Sequence, residues 1–427
     1  MASNVASAAV ATAPATSTRR RVRGDRRIAL YVSVAATCAV LAGCAFGPPG
    51  PDDGGAPPNL PSPSPSASSP DSGDDSAATA NVVAKHLSAP WGLAFLPDGS
   101  ALVTERKTAT IVRVGLPQTE AGLTVTPIAT VAGVSTTADG GLLGIAVSPK
   151  VATNHTVFVY YSTATDNRVA TIQLPTAVLS APPSDGASVA PSSAPSAPPA
   201  PTVTPHPIVT GIPRGATDNG GWLGFGPDGS LYASTGDAGR PAASADRKSL
   251  AGKILRMTTA GKPVSGKSLV YASGLHDVQG FDWDPTGRLY AVDAATATDG
   301  VLAIRSGASY GWPATPGSAS ESAIPPIQTF PAAQAGCAGV ALVQNILATA
   351  CLAGERVWLM QVTANGAVFG APQASLAKSF GRLRTVVTAP DGSLWIMTSN
   401  TDGHGTPSPD DDQIIQVVVA DAGAGKS

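Results

Sequence analysis

The sequence predicts an all-β fold, a six-bladed β-propeller, and three observations carry that prediction. Strand–turn–strand units recur six times, some 45 to 60 residues apart once one low-complexity insertion is set aside. Four of these units share a turn: Pro97-Asp98-Gly99, Pro227-Asp228-Gly229, Pro285-Thr286-Gly287 and Pro390-Asp391-Gly392. Proline presets one turn angle and glycine accepts positive φ, so this tripeptide between apolar runs reverses the chain for a physical reason. No segment carries a convincing 3.6-residue apolar period, so helix is expected to be scarce.

The chain opens on a basic stretch. Residues 1–43 hold six arginines and one aspartate, and Arg19 to Arg27 precede an apolar run from Ile28 to Ala42. A charged n-region followed by a 15-residue apolar region reads as an export signal, too short for a comfortable transmembrane span. The run ends Leu41-Ala42-Gly43-Cys44, which resembles a bacterial lipobox. That resemblance implies a lipidated Cys44, anchorage to the outer face of the cell membrane, and 1–43 as a removed signal peptide; an ordinary signal peptide or a short anchor helix is the alternative. Past the signal the charge turns acidic, so no basic patch is left for nucleic acid.

Residues 44–80 are rich in Pro, Ser, Gly and Asp, and cannot bury enough surface to offset ordering entropy. They read as a disordered tether, as does the short tail 421–427. The propeller is expected over 81–420. Its six units lie at Leu93–Thr104, Leu142–Tyr161, Trp222–Thr235, Gly280–Val292, Val340–Val362 and Val386–Thr398. A low-complexity segment, 179–207, reads as a surface insertion, because strand-like sequence resumes at Ile208. The last strand, Gln413–Val419, is expected to close the ring beside Asn81–Val83, which removes the exposed edges of an open repeat. Cys337 and Cys351 flank the hairpin of the fifth unit, and in an exported chain such a pair predicts a disulfide, with two buried thiols as the alternative.

The stretch Arg214–Met257 contains D-N-G-G-W-L-G-F-G-P-D-G-S-L-Y-A-S-T-G-D-A-G and then Gly252-Lys253-Ile254-Leu255-Arg256. Together with Pro90-Trp91-Gly92-Leu93-Ala94-Phe95, Gly140-Gly141-Leu142-Leu143-Gly144 and Tyr310-Gly311-Trp312-Pro313, in that order, it resembles the soluble quinoprotein sugar dehydrogenases. That glucose/sorbosone dehydrogenase-like family is built on six-bladed propellers that use pyrroloquinoline quinone (PQQ), and it includes LppZ-like envelope lipoproteins of actinobacteria. The resemblance implies a central funnel holding PQQ with a sugar above it. A histidine would take the proton from the sugar C1 hydroxyl as hydride passes to the quinone. A neighbouring aspartate would orient that histidine, arginines and a lysine would hold the cofactor, and Ca²⁺ would polarise the quinone.

Carried over position by position, Asp237 matches the orienting aspartate, Arg382 and Arg384 match a cofactor-facing R-x-R, and Asp139 stands where the family has Gln or Glu. Other positions depart from the pattern. Asp218 replaces the catalytic histidine and Trp222 a neighbouring arginine, His276 replaces a cofactor arginine, and Ala353 replaces the cofactor lysine. The segment whose backbone carbonyls hold Ca²⁺ aligns with Asp293-Ala294-Ala295, which makes the Ala294 and Ala295 carbonyls the metal candidates. A carboxylate near its ordinary pKa is a weaker base than imidazole, and histidine cannot reproduce an arginine fork. Two functions follow from these residues. One is an envelope pseudoenzyme that binds a sugar-like or anionic ligand, or a protein partner, with PQQ and Ca²⁺ lost or weakened. The other is a working PQQ-dependent dehydrogenase that oxidises an aldose at C1. A calcium-dependent lactonase-type propeller fits the ordered motifs less well.

Overall fold

A computed structural model of the chain describes residues 80–119, 122–176, 199–295, 298–313 and 323–419. They lie in the second of two units, Ser72–Ser427. The expected signal peptide 1–43, the expected lipidation residue Cys44, the expected tether as far as residue 79 and the tail 421–427 fall outside the described residues.

The strands form six sheets, five of four strands and one of five. In each, the first strand is paired to the second and the second to the third, all antiparallel. This is the predicted six-bladed propeller. Blade one begins at Pro90–Phe95, blade two at Leu142–Val147, blade three at Leu223–Phe225, blade four at Val278–Trp283, blade five at Cys337–Val343 and blade six at Leu383–Thr388. Helix is scarce among the described residues, with short helices at Val151–Asn154 and Pro241–Ala245 and a 3-10 turn at Ala332–Gln334.

The repeated turn shows why its residues recur. Asp98, Asp228 and Asp391 each accept the amide of the serine two residues on, at 3.0, 3.0 and 2.9 Å. The intervening glycines take φ of 84°, 72° and 81°, which non-glycine residues seldom adopt. The chain's ends meet as expected. Ala80–Ala84 pairs antiparallel with Ile414–Val417, so blade six takes three strands from the end of the chain and its outermost from the beginning.

Blades pack face to face through aromatic side chains. Phe158 of blade two meets Phe225 of blade three edge-on at 5.3 Å, and Phe95 of blade one meets Trp395 of blade six at 5.0 Å. Near the axis the innermost strands come closer than side chains permit. A Cβ on Gly144 would sit 2.2 Å from the Gly221 carbonyl, and one on Gly280 2.2 Å from the Ala338 carbonyl. Thr385 Oγ1 donates to the Trp91 carbonyl at 2.7 Å and links blade six to blade one.

Strand pairing resumes inside the span assigned to the insertion, 179–207. Thr202–Val203 adds a fifth, parallel strand to blade one, and His206–Ile212 is the outermost strand of blade two. Cys337 and Cys351 form the disulfide across directly opposed positions of blade five, with Cα atoms 3.7 Å apart. That is nearer than the usual 4.4–6.8 Å.

Candidate functional site

A cavity of about 320 Å³ opens at the inner ends of the blades. Asp139, Asp218, Arg382 and Arg384 line it, together with Trp91, Arg106, Asp277, Gln279, Asp402 and His404.

One wall is cationic. Arg106, only 5% exposed, follows the second strand of blade one and reaches Asp139 Oδ1 at 3.3 Å. Arg382 Nη2 lies 3.3 Å from Asp402 Oδ2, while its Nε is buried without a hydrogen-bond partner. Arg384 stacks over the Trp91 ring at 5.7 Å and donates through Nη1 to Gln279 Oε1 at 2.8 Å. Burial, followed by the like charges of Arg106 and Arg382, lowers the Arg384 pKa to about 10, which still leaves it charged at neutral pH. Asp402 is buried, which opposes its ionisation, but the His404 amide, Arg382 and Ser399 outweigh this and hold its pKa below the ordinary value.

The opposite wall is acidic. Asp277 accepts the Gly220 amide at 2.7 Å and the Gln279 side-chain amide, so Gln279 bridges the two walls. Burial, then the neighbouring Asp218, pushes the Asp277 carboxyl up. Asp218 sits at φ 56°, its side chain accepting from Thr217 Oγ1 at 2.7 Å. Asp218, the residue expected at the base position, therefore presents a carboxylate at the cavity wall.

Behind it lies His276. Its Nε2 is 3.9 Å from Asp218 Oδ1, and its ring stands edge-on to Trp312 at 4.6 Å between centroids. Its Nδ1 contacts the Ala294 carbonyl, and because a carbonyl only accepts, Nδ1 carries the hydrogen. Burial opposes protonation of this ring, but the Ala294 carbonyl and the Asp218, Asp277 and Asp293 carboxylates prevail and raise its pKa. His276 is thus not a solvated loop residue; its side chain is 12% exposed. Asp237, 1% exposed, accepts Gly239 N–H at 2.7 Å and Trp312 Nε1–H at 2.8 Å. It orients Trp312 through a hydrogen bond, whereas the expectation was an orienting bond to a catalytic base.

The remaining sequence candidates separate. Trp222 is buried against Trp91, ring centroids 6.1 Å apart, and does not line the cavity. Lys253 of the G-K-I-L-R element is fully buried and donates to the Ala243 and Ser244 carbonyls at 3.0 and 2.7 Å, and to that of Ala251. It closes the end of the short helix Pro241–Ala245 and plays no part in the cavity wall. The amide of Ala295 donates to Asp299 Oδ1 at 3.2 Å.

These residues bear unequally on the family's two cofactor components. An anionic cofactor fits: three guanidinium groups face one cavity, and a buried Arg382 Nε is left unsatisfied. At the calcium candidate, the Ala294 carbonyl takes the His276 Nδ1–H on one of its two lone pairs. Sequence reasoning missed Arg106, Asp277 and Asp402. Each stands in an ordinary-looking loop and is brought to the axis only by ring closure.

The sequence model of the Glucose / Sorbosone dehydrogenase family matches residues 87–406. The PQQ-bound aldose sugar dehydrogenase of Streptomyces coelicolor is 38% identical, with a TM-score of 0.70 over 79% of this chain and 97% of that one. The apo aldose sugar dehydrogenase of Escherichia coli, at 22% identity and a TM-score of 0.64 over 79% of this chain and 99% of that one, shares the fold. An uncharacterized Synechocystis protein is 26% identical over 74% of this chain and 83% of its own length. With three quarters of its length matched in the family's motif order, the chain belongs to the glucose/sorbosone dehydrogenase family.

Proposed function

We propose that this chain is a ligand-binding member of its family, taking a small anionic or sugar-acid-like molecule on the arginine wall without PQQ-dependent oxidation of aldoses. The observation that carries this reading is the composition of the two walls. Arg106, Arg382 and Arg384 face the cavity, but the base position opposite is the carboxylate Asp218. Three guanidinium groups remain at the cavity although His276 and Ala353 stand at cofactor positions, which supports binding of an anion. The chemical step fares worse. Losing a well-matched general base costs about 10²–10⁴ in rate, and the His276 imidazole stands behind Asp218, its Nδ1–H committed to Ala294.

The test is a titration of the full chain with PQQ, with and without added Ca²⁺, followed by a dye-linked assay with glucose and other aldoses. Binding without sugar-dependent dye reduction is expected, and Asp218→His alone should not restore turnover, because His276 and Ala353 still stand at the cofactor positions. Micromolar PQQ affinity together with sugar-dependent dye reduction would overturn the reading. It would establish the second one, an active aldose dehydrogenase. That alternative is supported by the 38% identity to a PQQ-bound dehydrogenase and by an Asp218–His276 pair within 3.9 Å that could share a proton.

The same proposal places the propeller on the outer face of the cell membrane, tethered through a lipidated Cys44. More than one acyl chain makes such anchoring stable. Cys44→Ala is expected to release the protein from the membrane fraction or to block its maturation. Retention after complete signal cleavage would count against the anchor.

A further inference from the structure

Two departures from the family pattern, Asp218 and His276, are 58 residues apart in sequence and adjacent in space. With Asp237 they form a group whose ligand atoms, one from each residue, all lie within 4.8 Å of one another. We propose that this group is a binding site for a divalent transition-metal ion of the zinc class, built by exchanging the family's histidine and arginine for aspartate and histidine.

Several features separate this group from a chance gathering of charges. Each ligand is held in place by at least one hydrogen bond from outside the group. His276 donates Nδ1–H to the Ala294 carbonyl, which fixes the tautomer and leaves the Nε2 lone pair facing Asp218. No hydrogen bond to that Nε2 occurs among the described residues. Asp218 Oδ2 accepts from Thr217, leaving Oδ1 toward the imidazole. Asp237 accepts from Gly239 and Trp312, and a carboxylate has about four lone-pair positions, so capacity remains. A histidine whose second nitrogen donates to a carbonyl, beside carboxylates that are themselves hydrogen-bonded, is the outer-shell arrangement that metal-ligating residues need.

The backbone holds the three loops together. The Asp237 amide donates to the His276 carbonyl at 2.8 Å, and the Ala238 amide to the Asp218 carbonyl at 2.9 Å. Gly236 makes this possible, since a Cβ there would lie 1.9 Å from the Asp218 carbonyl oxygen. Zinc bonds of about 2.0–2.2 Å require ligand atoms roughly 3.5 Å apart, so side-chain adjustments alone would close the group around an ion. One nitrogen and two carboxylates suit Zn²⁺ or Co²⁺; Ca²⁺ wants six to eight oxygens. Asp218 lines the cavity, so a remaining coordination position would face any bound ligand.

The experiment uses the full chain, purified in detergent without a polyhistidine tag, titrated with Co²⁺ and then with Zn²⁺. One equivalent of Co²⁺ should give visible d–d absorption that Zn²⁺ bleaches and millimolar Ca²⁺ does not. His276→Gln should abolish the spectrum, and Asp218→Asn, which tolerates positive φ, should weaken binding at least tenfold. Trp312→Phe removes the hydrogen bond to Asp237 and keeps a smaller ring against His276, and should weaken binding by about 10- to 100-fold, as outer-shell losses do. His206→Ala, at an exposed histidine outside the group, should change nothing. Absence of a stoichiometric Co²⁺ spectrum, or a His276→Gln protein that binds as tightly as the parent, overturns the proposal. The readout needs no anionic ligand, so its failure would leave the anion-binding reading standing.

Discussion

Arg384 shows how much a single side chain in this cavity can decide. It stacks on Trp91, is held by Gln279, and keeps its charge at neutral pH although burial and neighbouring arginines lower its pKa to about 10. A charge-assisted hydrogen bond to a ligand carboxylate contributes about 1.5–3 kcal/mol. Arg384→Ala is therefore expected to weaken PQQ or any similar polyanion by about 10- to 100-fold, measured by calorimetric titration. Arg384→Lys should recover only part of this, since a point charge does not replace a planar fork stacked on an indole. The R-x-R spacing made Arg382 and Arg384 legible in the sequence. Arg106 was not, because nothing in Thr104-Glu105-Arg106-Lys107 distinguishes it from a solvated turn; only the approach of blades one, two and six buries it. His276 was legible as a departure from pattern, but its burial against Trp312 was not, since that contact joins positions 36 residues apart.

At the scale of strands and blades, stability depends on how neighbouring sheets touch. Gly280→Ala places a methyl group 2.2 Å from the Ala338 carbonyl, so blades four and five must part. A loss of about 1–3 kcal/mol is expected from such overpacking, read as a lower urea midpoint with an unchanged slope. Gly99→Ala, with open space around its Cβ but φ of 84°, should cost about 1–2 kcal/mol through backbone strain alone. The same blade junction carries a buried carboxyl. Asp282 accepts the Leu342 and Trp283 amides, and burial pushes its pKa from 3.8 up to about 6 despite them. A carboxyl raised in the folded state binds more protons there than in the unfolded chain. Its stabilising contribution is whole below 3.8 and is lost as pH rises through about 6. Asp282→Asn should flatten that part of the stability–pH curve, as a parent-minus-variant difference in urea melts at pH 4 to 7 would show. The turns and strands themselves were readable, because Pro-Asp-Gly-Ser and alternating apolar residues act locally. The parallel strand Thr202–Val203 was not, since two residues carry no periodicity and their partner lies in another blade.

For the molecule as a whole, the ring is the unit of stability. The order of units, their number and the joining of the two ends could be read from the sequence, because each follows from repetition and from the cost of an open sheet edge. Deleting residues 1–79 should leave a cooperatively melting protein. Deleting 1–84 removes the outermost strand of blade six and bares the edge of Ile414–Val417. That variant is expected to melt at lower temperature and to self-associate, which thermal unfolding and light scattering would show. The shared blade also imposes an order of events on a chain that is delivered from its beginning, as the proposed export would deliver it. Ala80–Ala84 emerges early and finds no partner until the chain has been delivered as far as Ile414–Val417, more than 320 residues later. Blades one to five can assemble in sequence as they arrive, but the circle is sealed by the last strand to appear. The fold thus reports on its own completeness: a chain interrupted anywhere before blade six keeps an unpaired first strand, available to chaperones and proteases, while a finished one hides it.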